Sequence, residues 1–383
     1  MSDDKNINAS KNSSQEGGSR VRIIIAGGGT GGHIFPAIAI ANAIKKLAPD
    51  AAILFVGAKG KMEMEKVPLE GYNIEGLNIA GFNRSSLIKN IALPYKLIKS
   101  FLQVKQIFKA FKPAAVIGVG GYSSFPVLRY AQSQRIKTFI HEANSFAGKS
   151  NILLAKKAIR IFVASDGMEK FFPAGKILIT GNPVRESISK STVTRENALG
   201  IFNLDPGKKT IVAIGGSLGA KNINEALAAH LEDFEKNNLQ LIWQTGKPYV
   251  AKAKELAAGK PNIWVNDFIM QMEYAYAAAD VVISRSGAMA ITELCVQKKA
   301  ALFVPFPFAA EDHQTANAKN LANKNAGMMI KDSEALNTLV PAIIALSKDD
   351  QKQEEFKKNI SKLAITDADE VIANNILSSI NNN

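Results

Sequence analysis

Two stretches of this 383-residue chain have the residue types and spacing to hold phosphate. The first is Gly27-Gly28-Gly29-Thr30-Gly31-Gly32-His33, which follows Val21-Arg22-Ile23-Ile24-Ile25-Ala26 and precedes Ile34-Phe35-Pro36-Ala37-Ile38-Ala39-Ile40-Ala41. A β-branched run, a glycine cluster and a long apolar run read as buried strand, tight loop and helix. Glycines let the backbone approach a ligand, and the helix behind them offers unpaired N–H groups and the positive end of its dipole. The second stretch repeats the theme: Thr210-Ile211-Val212-Ala213-Ile214 leads into Gly215-Gly216-Ser217-Leu218-Gly219-Ala220 and a further helix. The competing reading of each loop is a turn that serves only helix–strand packing.

Neither loop fits the commonest phosphate motifs. Gly27, Gly29 and Gly32 have the dinucleotide spacing, but the second strand, Ile53-Leu54-Phe55-Val56, runs into Gly57-Ala58-Lys59 with no carboxylate for a ribose. Gly148-Lys149-Ser150 lacks the leading glycine of a Walker loop, because Ala143 stands there. Sharper chemistry lies further on. Ser284-Arg285-Ser286-Gly287 precedes a helix bearing Glu293, a carboxylate able to accept hydrogen bonds from both hydroxyls of a ribose. Asp312-His313-Gln314 opens another helix, and Gln314 offers a donor and an acceptor to sugar hydroxyls. The plainer alternatives are helix capping for Ser286 and Asp312 and a solvated helix face for Glu293. Four histidines and one cysteine show no metal-ligand spacing.

The elements that must position these residues alternate strand with helix. Ala114–Val119 leads into Gly120-Gly121, Thr138–His141 ends in Glu142-Ala143-Asn144, and Ile161–Ala164 and Ile177–Thr180 complete a first series. A second series has strands at Leu241–Trp243, Ile263–Val265, Val281–Ile283 and Ala301–Val304. Alternating βα units imply parallel sheets covered on both faces, with ligands beyond the carboxyl ends of the strands. The expected organisation is a polar, disordered tail over 1–20, a first Rossmann-like domain over 21–183 and a second over 184–365. A C-terminal helix over 366–383 is placed to pack back on the first domain. The fold class is α/β, two doubly wound parallel-sheet domains facing a cleft.

Composition narrows the partners. The single cysteine, Cys295, excludes a disulfide framework and fits a reducing cytosol. No apolar run reaches the length of a membrane span. The net charge is +13, and between Glu75 and Glu142 there is no acidic residue while ten Lys and Arg occur, among them Arg84, Lys89, Lys96, Lys99, Lys105 and Lys109. Polyanions that match are a nucleic acid or an anionic membrane surface. Ser86 to Phe111 reads as a basic amphipathic helix with Ile91, Tyr95, Ile98, Phe101, Leu102 and Phe108 at helical spacing. Either it lies on a membrane, with Ile79, Phe82, Leu87 and Ile88 as the exposed apolar part, or its lysines are an ordinary solvated face. A basic RNA-binding protein would leave both glycine loops and Glu293 unexplained and lacks an aromatic RNA platform, so nucleic acid is not expected.

Taken in order, Gly27–Pro36, Gly118-Val119-Gly120-Gly121-Tyr122, Gly181-Asn182-Pro183-Val184-Arg185, Gly215–Ala220 and Arg285-Ser286-Gly287-Ala288 closely resemble the MurG family. These are the N-acetylglucosaminyltransferases of peptidoglycan synthesis, in glycosyltransferase family 28. The resemblance runs from about Arg20 to the C-terminus, and departs from the family at Ala143, where Gln is usual, and in Pro307-Phe308-Ala309-Ala310-Glu311. It implies a GT-B fold, an inverting transfer that needs no metal or other cofactor, and peripheral attachment to the cytoplasmic face of the inner membrane. UDP-N-acetylglucosamine is the implied donor and lipid I, the undecaprenyl-pyrophosphoryl-N-acetylmuramoyl-pentapeptide, the implied acceptor. The acceptor phosphates would lie against Gly27–Gly32 and Gly118–Gly121. Donor contacts would be Thr30, Gly31, Gly32, Asn144, Arg185, Ser217 (diphosphate), Ile269 (uracil, through its backbone), Ala288, Met289, Ala290, Ile291, Thr292, Glu293 (ribose) and Gln314 (sugar). His33 is the first candidate for the general base and His141 the second, with Arg185 and Arg285 as candidates to stabilise the leaving diphosphate. The nearest alternatives are a UDP-sugar 2-epimerase, which would need no basic apolar segment, and a glycolipid glucosyltransferase.

Overall fold

The run Arg22–Ala26 forms β1, and Ile23, Ile24, Ile25 and Ala26 have no exposed surface. A strand buried on both faces must be apolar throughout, and alternate residues serve opposite layers. Ile23 and Ile25 join one core cluster, Ile24 and Ala26 the other. This is a computed structural model; it describes residues 21–80, 93–216, 218–309 and 312–381. The expected tail over 1–20, and Phe82, Arg84, Leu87, Ile88, Lys89, Ile91 and Ser217, lie outside the described residues.

Beside β1 run β2 (Ala52–Ala58), β3 (Asn73–Leu77), β4 (Ala115–Gly118), β5 (Lys137–Glu142), β6 (Arg160–Val163) and β7 (Ile177–Ile179). They form one parallel sheet in the order β3-β2-β1-β4-β5-β6-β7. The second sheet holds β8 (Lys209–Ile214), β9 (Leu239–Gln244), β10 (Ile263–Asn266), β11 (Val281–Ser284), β12 (Ala300–Phe303) and β13 (Met328–Met329). Its order is β10-β9-β8-β11-β12-β13, again parallel. In each sheet the strand order reverses once, between β1 and β4 and between β8 and β11. Loops leaving neighbouring strands at such a point diverge to opposite faces and open a crevice. Both glycine loops and both of their partner loops leave from those strands, so the expected α/β, two-lobed architecture is present.

The chain crosses between lobes at 180–185 and returns at 362–367. The last helix, Ala368–Asn381, then packs on the first lobe rather than the second. Its Ile372, Ala373 and Ile376 are fully buried in the cluster that contains Ile34, Ile38 and Ile40 of the Gly31–Leu47 helix. Lys46 pairs with Glu370 at 2.7 Å, and Lys137 Nζ donates to the Ser379 carbonyl at 2.6 Å. The exposed Lys46–Glu370 pair adds little, so burial holds the helix.

The basic helix is described from Leu93 to Phe111. Val104 and Phe108 face the core, with Phe108 edge-on to Tyr130 at 5.1 Å. Tyr95, Ile98 and Leu102 are 67%, 63% and 60% exposed. The apolar positions read as one stripe therefore divide between a core face and an outward face.

Replacing Ile376 by Ala removes a fully buried side chain from the contact between the last helix and the first lobe. The expected cost is about 2–5 kcal/mol. Urea unfolding of the first lobe should move to lower midpoint with an unchanged slope; an unchanged midpoint would mean that the helix adds nothing to this lobe.

Candidate active site

In the loop after β1 the glycine amides are already partly committed. Gly27 N–H donates to Val56 O at 3.1 Å, Gly28 N–H to Gly120 O at 3.3 Å and Gly29 N–H to Glu63 Oε2 at 2.8 Å. The expectation that all of Gly27–Gly32 cradles a phosphate therefore narrows to its last residues. The helix starts at Gly31 behind an extended Thr30 and has no acidic residue in its first turn. Helix geometry leaves the amides of Gly31 and Gly32 without an intrahelical acceptor and at the positive end of the dipole.

His33 stands in that first turn. Its Nδ1 lies 3.1 Å from Gly28 O and 3.3 Å from Thr30 Oγ1. A carbonyl can only accept, so Nδ1 carries the proton and Nε2 keeps its lone pair. Gly120 makes the space: a Cβ there would come within 2.7 Å of His33 Nε2, and the residue has φ +99°. Burial lowers the His33 pKa below 6.5, against an opposing pull from Glu142 and the Gly28 carbonyl. The ring is thus neutral at neutral pH.

His141, the second candidate base, is at the end of β5 with no exposed surface. Neither ring nitrogen makes a well-formed hydrogen bond. Burial, then the charge of His33, pushes its pKa down to about 4. It is enclosed at the end of β5, in the strand that also carries Glu142. The neighbouring Glu142 organises the following loop: Oε2 accepts from Gly148 N–H at 3.0 Å and Asn151 Nδ2 at 2.8 Å, and Oε1 from Asn144 N–H at 3.2 Å. Asn144 is held in place by that carboxylate.

In the second lobe Glu293 sits on the Ala288–Val296 helix, whose first turn has no acidic residue. It is 7% exposed, not a solvated face. Oε2 accepts from Tyr276 Oη at 2.8 Å, and Arg185 Nη2 lies 3.4 Å from Oε1. Burial raises the Glu293 pKa, while Arg185 and the Tyr276 hydroxyl lower it. Burial and then the adjacent Glu293 keep Tyr276 well above its ordinary value, so it remains a donor. Nothing in the local sequence around Tyr276 signals this role; the contact spans 17 residues. Arg185, on the crossover, lays its guanidinium over the Phe35 ring at 4.6 Å and so touches the first lobe as well.

Other expected contacts are narrowed. The Ile269 amide donates to Gln244 Oε1 at 3.2 Å, which leaves only its carbonyl for a base. Gln314 Oε1 accepts from Phe306 N–H at 3.0 Å, leaving its amide donor. Ser286 does not cap a helix; its hydroxyl donates to Gln314 O at 2.8 Å. Asp312 makes no side-chain cap bond either. Arg285 has one guanidinium nitrogen committed within its own lobe. Its Nη1 donates to Val304 O at 3.0 Å and Pro305 O at 3.1 Å and pairs with Asp332, so it braces the loop after β12. Ala288, Met289, Ala290 and Ile291 form the first turn of the Ala288–Val296 helix, with Ala288 and Ile291 lining a cavity, while Thr292 Oγ1 accepts from Asn182 Nδ2 at 3.0 Å across the lobes. Ser145 N–H also reaches Asn317 Oδ1, at 3.4 Å.

The buried histidine gives a pH signature. In the unfolded chain His141 binds a proton as pH falls through about 6.5, but in the folded chain only near 4. Stability is therefore complete above 6.5 and is lost progressively down to about 4, by roughly 3 kcal/mol from this residue. His33 acts in the same direction. Urea unfolding between pH 8 and pH 4 should show this loss, and His141→Asn should flatten it; equal pH slopes in the two proteins would remove the assignment.

Sequence and structure comparisons agree with this geometry. The glycosyltransferase family 28 N-terminal domain matches residues 23–163 and the family's C-terminal domain residues 210–372. A Bacteroides fragilis protein, 51% identical over 372 residues covering 96% of this chain and 98% of its own, carries a descriptive name. It is UDP-N-acetylglucosamine–N-acetylmuramyl-(pentapeptide) pyrophosphoryl-undecaprenol N-acetylglucosamine transferase. A Bacteroides thetaiotaomicron protein of the same name is 52% identical over 361 residues, covering 93% and 97%. The crystal structure of Acinetobacter baumannii MurG superposes with a TM-score of 0.73 at 30% identity, covering 94% of this chain and 99% of that one. A UDP-GlcNAc 2-epimerase from Neisseria meningitidis shares the fold alone, at 15% identity and a TM-score of 0.67, covering 94% and 100%. The chain belongs to glycosyltransferase family 28 and, within it, to the MurG family.

Proposed function

We propose that this enzyme transfers N-acetylglucosamine from UDP-N-acetylglucosamine to the sugar hydroxyl of lipid I, giving lipid II. The observation that carries the reading is the pairing of a neutral His33, with Nε2 free, on one lobe with a buried ribose-type carboxylate, Glu293, on the other. The family relatives at about half identity carry that activity in their names.

In this reading the acceptor hydroxyl oxygen attacks the anomeric carbon from the first lobe as the bond from that carbon to the UDP phosphate oxygen breaks. The electron pair leaves with UDP, and the hydroxyl proton passes to His33 Nε2. Attack opposite the leaving group inverts the anomeric centre. Charge grows on the diphosphate, and the acid-free first turns of the Lys221–Ala229 and Ala288–Val296 helices, with Arg185, offset it without a metal. Ser217 is assigned to the same diphosphate. Glu293 takes the ribose, the Ile269 carbonyl the uracil and the Gln314 amide the sugar.

Tyr95, Ile98 and Leu102 with the exposed Lys96, Lys99, Lys105 and Lys109 form an apolar strip edged with positive charge. No helix among the described residues is long and apolar enough to cross a membrane. We assign the strip to peripheral contact with an anionic membrane surface, on the cytoplasmic side where the nucleotide donor is made.

Labelled N-acetylglucosamine should move from its UDP donor to lipid I with EDTA present; a wild-type chain that transfers nothing would end the reading. In the same assay His33→Ala should lower kcat at least ~100-fold while UDP affinity changes little. An active His33→Ala would place the base elsewhere. The membrane assignment has its own test in vesicle co-sedimentation. Lys96→Glu with Lys99→Glu should weaken binding to anionic vesicles at least ~10-fold, since each charge near the surface contributes about 1 kcal/mol. UDP affinity should stay as it was; equal binding by the variant would make these lysines a solvated face only.

A further inference from the structure

Glu63 is a buried carboxylate in the first lobe, 2% exposed, at the start of the Glu63–Leu69 helix. Its Oε1 accepts from Ala58 N–H at 2.9 Å and its Oε2 from Gly29 N–H at 2.8 Å. Two glycines make room for it. A Cβ on Gly28 would stand 2.4 Å from Glu63 Cδ, and one on Gly57 would stand 2.5 Å from its Cγ. The carboxylate thus joins the end of β2 to the loop after β1.

Gly29 N–H and Gly28 C=O belong to one peptide unit, which is planar and moves as a whole. Its N–H is held by Glu63 Oε2, and its C=O is the group 3.1 Å from His33 Nδ1. A peptide between two glycines rotates easily, because neither has a side chain to oppose it. Rotation would turn the carbonyl away from His33 and release the ring to either tautomer.

We propose that Glu63 is a positioning residue of the transfer reaction, holding the Gly28–Gly29 peptide so that its carbonyl fixes the His33 ring with Nδ1 protonated and Nε2 available. The proposal rests on His33 being the base, yet its structural half can be read without catalysis. Glu63 also shares the Gly29 amide with no incoming anion, so the acceptor phosphate is directed to the amides of Gly31 and Gly32.

The charged and titratable groups facing His33 are Glu142, Glu63, His313 and His141. Glu63 raises the His33 pKa, as does Glu142, while His313 lowers it. Glu63→Gln removes one such charge and sets an amide donor against a backbone N–H. Glu63→Asp keeps the charge but is one methylene too short to reach both amides.

Three readouts on the full chain test this. Histidine 15N spectra, with His33 assigned from His33→Ala, should show Nδ1-protonated His33 in the wild type and a mixture of tautomers in Glu63→Gln. In the transfer assay Glu63→Gln should lose at least ~10-fold in kcat, with donor KM within about two-fold and the acid limb of the pH profile moved to lower pH. Glu63→Asp should lose kcat with the acid limb near its wild-type place. For a folded Glu63→Gln, an unchanged His33 tautomer, a kcat within two-fold of wild type, or a kcat loss with an unmoved acid limb would overturn the proposal. So would failure of both variants to fold, which would make Glu63 structural only. An active His33→Ala beside an altered tautomer in Glu63→Gln would instead indict the base assignment.

Discussion

Parallel strands can be joined only by crossovers that carry the chain back to the same end of the sheet. Where the direction of winding reverses, the loops from two adjacent strands part and leave a crevice. That constraint governs this molecule twice, at β1/β4 and at β8/β11. It brings the loop after β1 against the loop after β4, so that Gly28 N–H bonds Gly120 O and His33 fits over Gly120. In the other lobe it brings the loop after β8 beside the Ala288–Val296 helix. Ser145 and Asn317, 172 residues apart, meet across the lobes with no local signal that they should.

What the sequence discloses is what local physics decides. Strands buried on both faces must be continuously apolar, so β1, β4, β8 and β11 are legible from Ile, Val and Ala alone. Glycine loops between such strands and helices are legible for the same reason. Contacts made across the chain are not. Glu63 is 34 residues from the amide it holds, and Arg285 is 47 residues from Asp332, so neither the buried latch nor the loop brace shows in a local window. The two-residue β13 is too short to carry a pattern. The Leu93–Phe111 helix has one periodicity in sequence but two environments in the fold, because Val104 and Phe108 meet a core while Tyr95, Ile98 and Leu102 are largely exposed.

Three buried glutamates do related work in a chain with net charge +13. Glu63, Glu142 and Glu293 each accept at least two hydrogen bonds, from loop amides or from Asn, Tyr and Arg side chains. A buried carboxylate without such donors would cost several kcal/mol, so each one fixes the groups around it in place. They act on the loops, while lysines such as Lys96, Lys99, Lys105 and Lys109 stay on the exposed surface. The consequence for His33 is a balance: burial lowers its pKa, and Glu142 and Glu63 pull the other way.

Arg185 links the two halves of that arrangement. Its separation of 3.4 Å from Glu293 is at the long end of a hydrogen bond, and its Nε, though buried, has no partner. Stacking on Phe35 at 4.6 Å is the closer constraint, and Phe35 lies two residues beyond His33 on the same helix. A guanidinium held by an aromatic face keeps its in-plane donors available for anions, since a ring face takes none of them. One side chain on the crossover therefore meets the buried Glu293 carboxylate of one lobe and the helix of His33 in the other. The contact between the lobes and the charge beside Glu293 thus share one residue.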